Sequence, residues 1–202
     1  MHFIWFTYAS HLLSYWGTVA YCVFRDPVQQ WDRDCFRVVL RNMVLYTVPA
    51  AAIFARLFPE EQYNHIGIWH AIWQLPVSVL LTDVLFYYPH RALHQVKLGP
   101  LNLYRLHKTH HKWKRPLGMA ALYADFFEHI VVNTAPPLAA GMILRSHPVV
   151  LALWAAIASG NTVRAHAIEG QHQDHHTSIK HNFGVGLMLC DRIHGTLLEA
   201  CA

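Results

Sequence analysis

Apolar residues run along this chain in long blocks separated by short polar ones, and several blocks have the length of membrane helices. The first covers 2–24. It is longer than a signal-peptide core and has no basic segment before it, so it reads as a membrane span. A charged stretch follows at 25–41, with Arg25, Arg33, Arg37 and Arg41 beside three aspartates. The second block, 38–58, closes at Pro59-Glu60-Glu61-Gln62. The third, 66–88, contains Asp83, and a polar stretch over 89–116 follows it. The fourth apolar region, 117–160, is broken at Arg145-Ser146-His147-Pro148, which predicts a turn. At about 1.5 Å per residue, each half of that region crosses a core of roughly 30 Å only if nearly upright or if the bilayer thins. The pattern predicts an all-α integral membrane protein with about four transmembrane helices, the last a hairpin within 117–160. No repeat or linker divides the chain, so 1–202 reads as one membrane domain.

Composition narrows the class. Of 202 residues, 54% are hydrophobic and 14% charged, against about 25% charged in soluble domains. A disordered chain, a coiled coil and a highly charged soluble surface are excluded. Net charge is +4 with no long Lys/Arg run, so nucleic acid is not an expected partner. Cys22, Cys35, Cys190 and Cys201 form no CxxC pair, and neither a zinc finger nor a disulfide framework is expected. The 89–116 stretch holds Arg91, Lys97, Arg105, Lys108, Lys112, Lys114 and Arg115, whereas 59–65 holds two Glu and no Lys or Arg. The positive-inside rule therefore places 89–116 in the cytosol and 59–65 outside.

Histidine is the unusual residue, at 17 against 16 for Lys and Arg together. His90 and His94 form HxxxH. His107, His110 and His111 form HxxHH, and His172, His175 and His176 form a second HxxHH, flanked by His166 and His181. Residues i, i+3 and i+4 share one helix face, so each box is expected to aim its imidazoles at one point. So many imidazoles cannot all be protonated side by side, and neutral imidazole is a common metal ligand. Eight or nine ring nitrogens exceed the needs of one ion, so two ions are expected. All-imidazole ligation suits iron, zinc, copper or nickel. For the boxes to meet, the chain between His111 and His166 must cross the membrane an even number of times, as a hairpin does. Then 89–116 and 161–202 form one cytosolic, histidine-rich metal-binding cap. A metal transporter would hold its ligands at mid-membrane on broken helices, and here they lie at helix ends. His11 and His70, alone in apolar runs, read as core or interfacial residues.

Three stretches carry a family resemblance. They are Asp83-Val-Leu-Phe-Tyr-Tyr-Pro-His90-Arg-Ala-Leu-His94, Leu106-His107-Lys-Thr-His110-His111-Lys, and His172-Gln-Asp-His175-His176. Asn182-Phe183-Gly184 and Asp191-Arg-Ile-His-Gly195-Thr196 add a matching closing motif. The chain resembles the fatty acid hydroxylase/sterol desaturase superfamily of membrane di-iron oxygenases from about Arg41-Asn42 to Thr196. Residues 116–128 are most similar to the C-4 methylsterol oxidase branch. There are departures. Asp125-Phe126 stands where the family often has His-Pro, His166-Ala167-Ile168 replaces a His-Ser-Gly start with a shorter insert, and Cys190 and His194 replace an aromatic pair.

The resemblance implies a fold and a chemistry. Two ferrous ions, with zinc as a substitute, would be held by His90, His94, His107, His110, His111, His166, His172, His175 and His176. They would use O₂ and electrons from an external carrier such as cytochrome b5 to hydroxylate, oxidise or desaturate a C–H bond of a sterol or a fatty acyl or sphingoid lipid. The basic loop suits an acidic donor. In a eukaryote the site would face the cytosol from the endoplasmic reticulum. Asp83, Glu128, Asp174 and Asp191 are candidates to orient the histidines. Asp125, His129 and His181 are left open as further ligands. The competing reading is a non-catalytic metal-binding scaffold.

Overall fold

A computed structural model describes residues 2–57, 67–168 and 170–198. The chain is mostly helical, and its long helices run alternately toward and away from one end. Helix α1 (His2–Arg25) runs toward that end. Asp32 then caps the next helix by accepting the Cys35 amide at 2.7 Å. This return helix is continuous over Arg33–Leu57. It comprises α2 (Arg33–Arg41), a π-helical stretch at Asn42–Thr47, and α3 (Val48–Leu57). Helix α4 (Ala71–Gln95) comes back, with Pro76 and Pro89 inside it. A short hairpin pairs β1 (Lys97–Leu98) with β2 (Leu101–Asn102), and 3₁₀ turns at Leu103–Leu106, His110–Lys112 and Gly118–Leu122 cross the end of the bundle.

The chain reverses direction near the predicted turn. Helix α5 (Phe126–Glu128), a π-helical stretch at His129–Thr134 and α6 (Ala135–Ile143) lead away. The chain turns at Arg145, which has φ of +48°, and α7 (Pro148–Ala167) returns. His147 caps α7 through its ring, and Pro148 opens it where a missing N–H costs nothing. The small helices α8 (Gln171–Thr177) and α9 (Leu189–Ile193) complete the end layer.

Contacts fix the directions. The Gln29 amide, just past α1, donates to Ala167 O at the end of α7, and the Gly118 amide donates to Gln29 Oε1 at 2.7 Å. Gly160 lets α7 approach α1 closely, because a Cβ there would meet Ser14 Oγ at 3.1 Å and Thr18 Oγ1 at 3.3 Å. At the opposite end, Gln74 donates to Leu144 O, so α6 is antiparallel to α4. The C-termini of α1, α4 and α7 therefore share one end. The core behind it holds Tyr15, Val19, Met43, Met119 and Val163, with Tyr15 Oη donating to Met119 O at 2.7 Å.

The outside is apolar. Leu13 is 76% exposed and Phe24 88%, which water disfavours and lipid does not. Arg33–Leu57 and Ala71–Gln95 are the two described helices long and apolar enough to cross a bilayer. The acidic loop at 59–65 lies outside the described residues, as does the start of the 66–88 block. Two boundaries move. The polar pattern after residue 88 places the first histidine box in a loop, but α4 continues to Gln95 and carries His90 and His94 in its last turns. Likewise α7 runs past 160 to Ala167, so His166 is helical. Cys22, Cys35 and Cys190 are free and buried, and Cys201 lies outside the described residues.

Candidate metal centre

Nine imidazoles meet at the shared helix ends in two groups. His90, His94, His107, His111 and His175 form one, and His110, His166, His172 and His176 the other. Within each group the ligand atoms lie within 4.8 Å of one another. These are the nine candidates read from the boxes, but each HxxHH divides between the groups. His107 and His111 enter the first group while His110 enters the second. His172 and His176 enter the second while His175 enters the first. The expectation of one point per box is thus corrected. On α8, at about 100° per residue, i and i+4 diverge by only about 40°, whereas i+3 and i+4 point about 100° apart. Adjacent histidines therefore straddle two centres.

The ring protons decide what the groups can bind. His90 Nδ1 donates to Phe183 O at 2.5 Å, His172 Nδ1 to Gly184 O at 3.1 Å, and His175 Nδ1 to His181 O at 2.6 Å. His166 Nδ1 donates to Thr162 O at 2.7 Å, His176 Nδ1 to Trp113 O at 3.2 Å, and His110 Nδ1 to Tyr123 O at 3.4 Å. Carbonyl oxygens only accept, so each Nδ1 carries the proton and each Nε2 presents a bare lone pair. Yet His166 Nε2 lies 3.2 Å from both His110 Nε2 and His172 Nε2. His107 Nε2 lies 3.0 Å from His90 Nε2 and 2.9 Å from His111 Nε2. For His110, His166 and His172, whose Nδ1 protons the carbonyls hold, these are facing lone pairs, which repel at that distance unless a cation lies between them.

A proton is a poor candidate for that cation. Burial pushes His172 down to about 4. Burial, reinforced by neighbouring imidazoles, holds His107, His110 and His175 well below the ordinary imidazole range. A transition metal fits. Two imidazole nitrogens each about 2.1 Å from one ion and at right angles stand about 3 Å apart. The donor set, imidazole alone, suits iron, zinc, copper or nickel.

The carboxylates occupy different layers. Glu128 is buried between the groups, with Oε2 2.9 Å from His107 Nδ1 and Oε1 3.7 Å from His110 Nδ1. It therefore reaches one histidine of each group. Asp191 accepts the amides of Phe183 at 2.9 Å and Gly184 at 2.7 Å, and the Thr196 hydroxyl at 2.7 Å. It acts one step further out, by fixing the two residues whose carbonyls hold His90 and His172. Asp83 touches no histidine of either group. Its carboxylate accepts the amides of Leu187, Met188, Leu189 and Cys190, which pins the closing segment to α4. Asp174 is half-buried and has no side-chain hydrogen bond among the described residues. Asp125 accepts from Thr109 at 3.0 Å, His129 Nε2 pairs with Thr47 at 2.8 Å, and His181 Nδ1 pairs with Ser178 at 2.8 Å. All three stand outside the groups. The carbonyls of Thr162, Trp113, Tyr123, His181, Phe183 and Gly184 that hold the rings carry no sequence signal.

Beside the metal centre a cavity of about 350 Å³ opens between the long helices. Phe86, Thr162 and Val185 line its near end, and Ile4, Leu151 and Trp154 lie among its apolar walls. The Phe86 ring stands 5.0 Å from the His90 ring, and Thr162 O holds His166, so the cavity adjoins both groups.

Comparison with known proteins agrees with this geometry. The family profile described as Fatty acid hydroxylase matches residues 75–196. Fatty acid hydroxylase domain-containing protein 2 of Homo sapiens is 30% identical over 183 residues, covering 85% of this chain and 53% of the relative. Methylsterol monooxygenase erg25B of Aspergillus fumigatus is 32% identical over 113 residues, covering 52% and 35%. A Delta(7)-sterol 5(6)-desaturase of Candida dubliniensis is 28% identical over 170 residues, covering 75% and 42%. The chain spans about half the length of the first two relatives it matches, at 53% each. No solved structure matches it.

Proposed function

The chain belongs to the fatty acid hydroxylase family, and from that premise we propose that it is a membrane-bound di-iron oxygenase acting on a C–H bond of a lipid. It takes O₂ and electrons from an external donor and hydroxylates, oxidises or desaturates a sterol or a fatty acyl or sphingoid chain. The observation that carries this reading is the pair of all-imidazole groups, with the bare Nε2 atoms of His110 and His172 each 3.2 Å from that of His166. His90, His94, His107, His111 and His175 would hold one ion, and His110, His166, His172 and His176 the other. Bound iron supplies a redox couple able to activate O₂.

The protein's own part is positional. Phe183 O, Gly184 O and their counterparts keep the proton on Nδ1, so that Nε2 stays free. Glu128 sets one oxygen 2.9 Å from His107 Nδ1 and the other 3.7 Å from His110 Nδ1, close enough to orient a histidine of each group. The apolar cavity receives the lipid and excludes water from the reacting carbon. Arg105, Lys108, Lys112 and Lys114 are exposed beside the second box and suit an acidic carrier such as cytochrome b5. Residues 89–116 and 161–196 face the cytosol in this reading, at the endoplasmic reticulum in a eukaryote. Sterol oxidase and desaturase names among the relatives favour a sterol, and the short insert after His166 leaves a linear lipid as the second substrate class.

The test is direct. Purified protein in lipid nanodiscs should carry close to two transition-metal ions per chain and, once loaded with iron and reduced, form an O₂-dependent oxidised product from a membrane lipid extract. Two bound ions with no product from any lipid class would favour the metal-binding scaffold. Absence of bound metal would overturn both readings.

A further inference from the structure

Four of the residues that line the cavity beside the metal centre are exposed: Ile157, Asn161, Gly186 and Leu187. The other lining residues are buried or half-buried. A cavity wall that is also outer surface marks an opening, and these four lie together. Ile157 and Asn161 stand at i and i+4 on α7, so they share one face of it. The Asn161 side-chain amide donates to Val185 O at 3.2 Å, which sets residues 185–187 against that helix. On the other side, Asp83 of α4 accepts the Leu187 amide at 3.1 Å. The closing segment thus bridges α7 and α4 over the opening. The half-buried Val79 and Thr82 continue the cavity wall on α4.

The opening faces sideways from the bundle. Asn161 and Ile157 precede His166 by five and nine residues, about 8 and 14 Å along α7. With the histidines at a membrane surface, those depths fall in the nearer half of a hydrocarbon core of roughly 30 Å. The rim is apolar: Ile157 is 45% exposed and Leu187 50%, and the flanking helices also expose Leu80, Val84 and Leu153. Water disfavours such a rim and lipid tails do not. Inward, the wall continues away from the histidines to Leu151, Trp154 and Ile4, all buried and apolar. A polar headgroup pushed into that part would lose its water without gaining partners there, so an apolar end enters it at lower cost.

We propose that the opening between α4 and α7, roofed by residues 185–187, is the port through which a lipid slides sideways out of the bilayer, apolar end first, from the leaflet on the metal side. The partner of this surface is the membrane's own lipid, not one delivered through water. Ile157 and Gly186 set the width of the port. A Cβ on Gly186 would have Asp83 Oδ1 at 3.8 Å as its nearest neighbour, so a larger side chain fits there and narrows the port. The inference rests on the lipid-oxygenase reading for the cavity's occupant, but loading is measured without turnover.

The experiment uses the metal-loaded full chain in phosphatidylcholine nanodiscs that contain one of two photoreactive probes. One is hexadecanoic acid with a diazirine at its methyl end, and the other is cholesterol with a diazirine in its side chain. After illumination, mass spectrometry locates the labelled residues. In the wild type at least one probe should label the inner wall at Ile4, Leu151 or Trp154. Ile157→Trp should lose this labelling with metal content unchanged. Gly186→Trp should do the same, and it serves if Ile157→Trp does not fold. Leu13→Trp, at an exposed position of α1 that does not line the cavity, should leave the labelling as it is. Inner-wall labelling that persists in both port variants overturns the proposal, as does an equal loss in Leu13→Trp. So does a wild type whose inner wall neither probe labels from the bilayer, or labels only when supplied in water on cyclodextrin. Loading by this route in a protein that oxidises no lipid leaves the port standing and removes the oxygenase reading. Lipid oxidation at a rate indifferent to both port variants does the reverse.

Discussion

Glu128 and His107 meet at 2.9 Å, carboxylate Oε2 to imidazole Nδ1, with both side chains about 1% exposed. The other oxygen of Glu128 faces His110, which belongs to the second histidine group. Partners of metal-bound histidines typically contribute about 10–100-fold in metal affinity or activity. Glu128→Gln should therefore weaken metal retention at both centres by about that factor while leaving the helices intact. Metal analysis after graded chelator challenge, with circular dichroism as control, measures it. A Gln variant that holds both ions as firmly as the wild type would remove Glu128 from the metal centre.

Adjacent histidines of one box should fail separately. His175 belongs to the first group and His176 to the second. His175→Ala and His176→Ala should each lower occupancy by about one ion per chain, from different centres. The double variant should lose both. If either single change empties both centres while the fold persists, the division between groups is wrong.

Asp191 reaches the metals only through the backbone. Its loss frees the amides of Phe183 and Gly184, whose carbonyls hold His90 and His172 in different groups. Buried amides left unpaired cost about 1–3 kcal/mol each. Asp191→Ala should lower the melting temperature and reduce occupancy of both ions together, unlike the histidine variants. Unchanged thermal stability would show that Asp191 does not organise this loop.

Sidedness follows from the shared helix ends. Tags near residues 100 and 185 should be labelled from one side of the membrane, and tags within 59–65 from the other. Opposite labelling of the first two would be incompatible with a shared metal centre.

The exposed basic residues beside the second box make an electrostatic prediction. Attraction between surface charges falls as salt screens it, with a Debye length of about 8 Å near 0.15 M. Donor-driven turnover should fall as ionic strength rises. Replacing Lys112 and Lys114 by Glu should slow it further while single turnover of chemically reduced protein survives. Donor-driven rates indifferent to both changes would assign this loop to topology alone.

The chain by itself specified the helical class, the hairpin turn near Arg145 and all nine clustered histidines. Those properties are written in side-chain periodicity: apolar blocks of helical length, Pro148 after a polar break, and imidazoles at i, i+3 and i+4. Tertiary structure decided the rest. Which imidazole joins which group depends on how α4, α7, α8 and the 3₁₀ turn at His110–Lys112 approach one another, and spacing within one box does not contain that angle. Asp83 reads as a partner for the boxes in sequence because it sits two turns before His90. In the fold its carboxylate is saturated by the amides of residues 187–190, more than a hundred positions away. The ring protons are held by carbonyls of Phe183, Gly184, Thr162 and Trp113, and every residue has a carbonyl, so only the folded chain selects these.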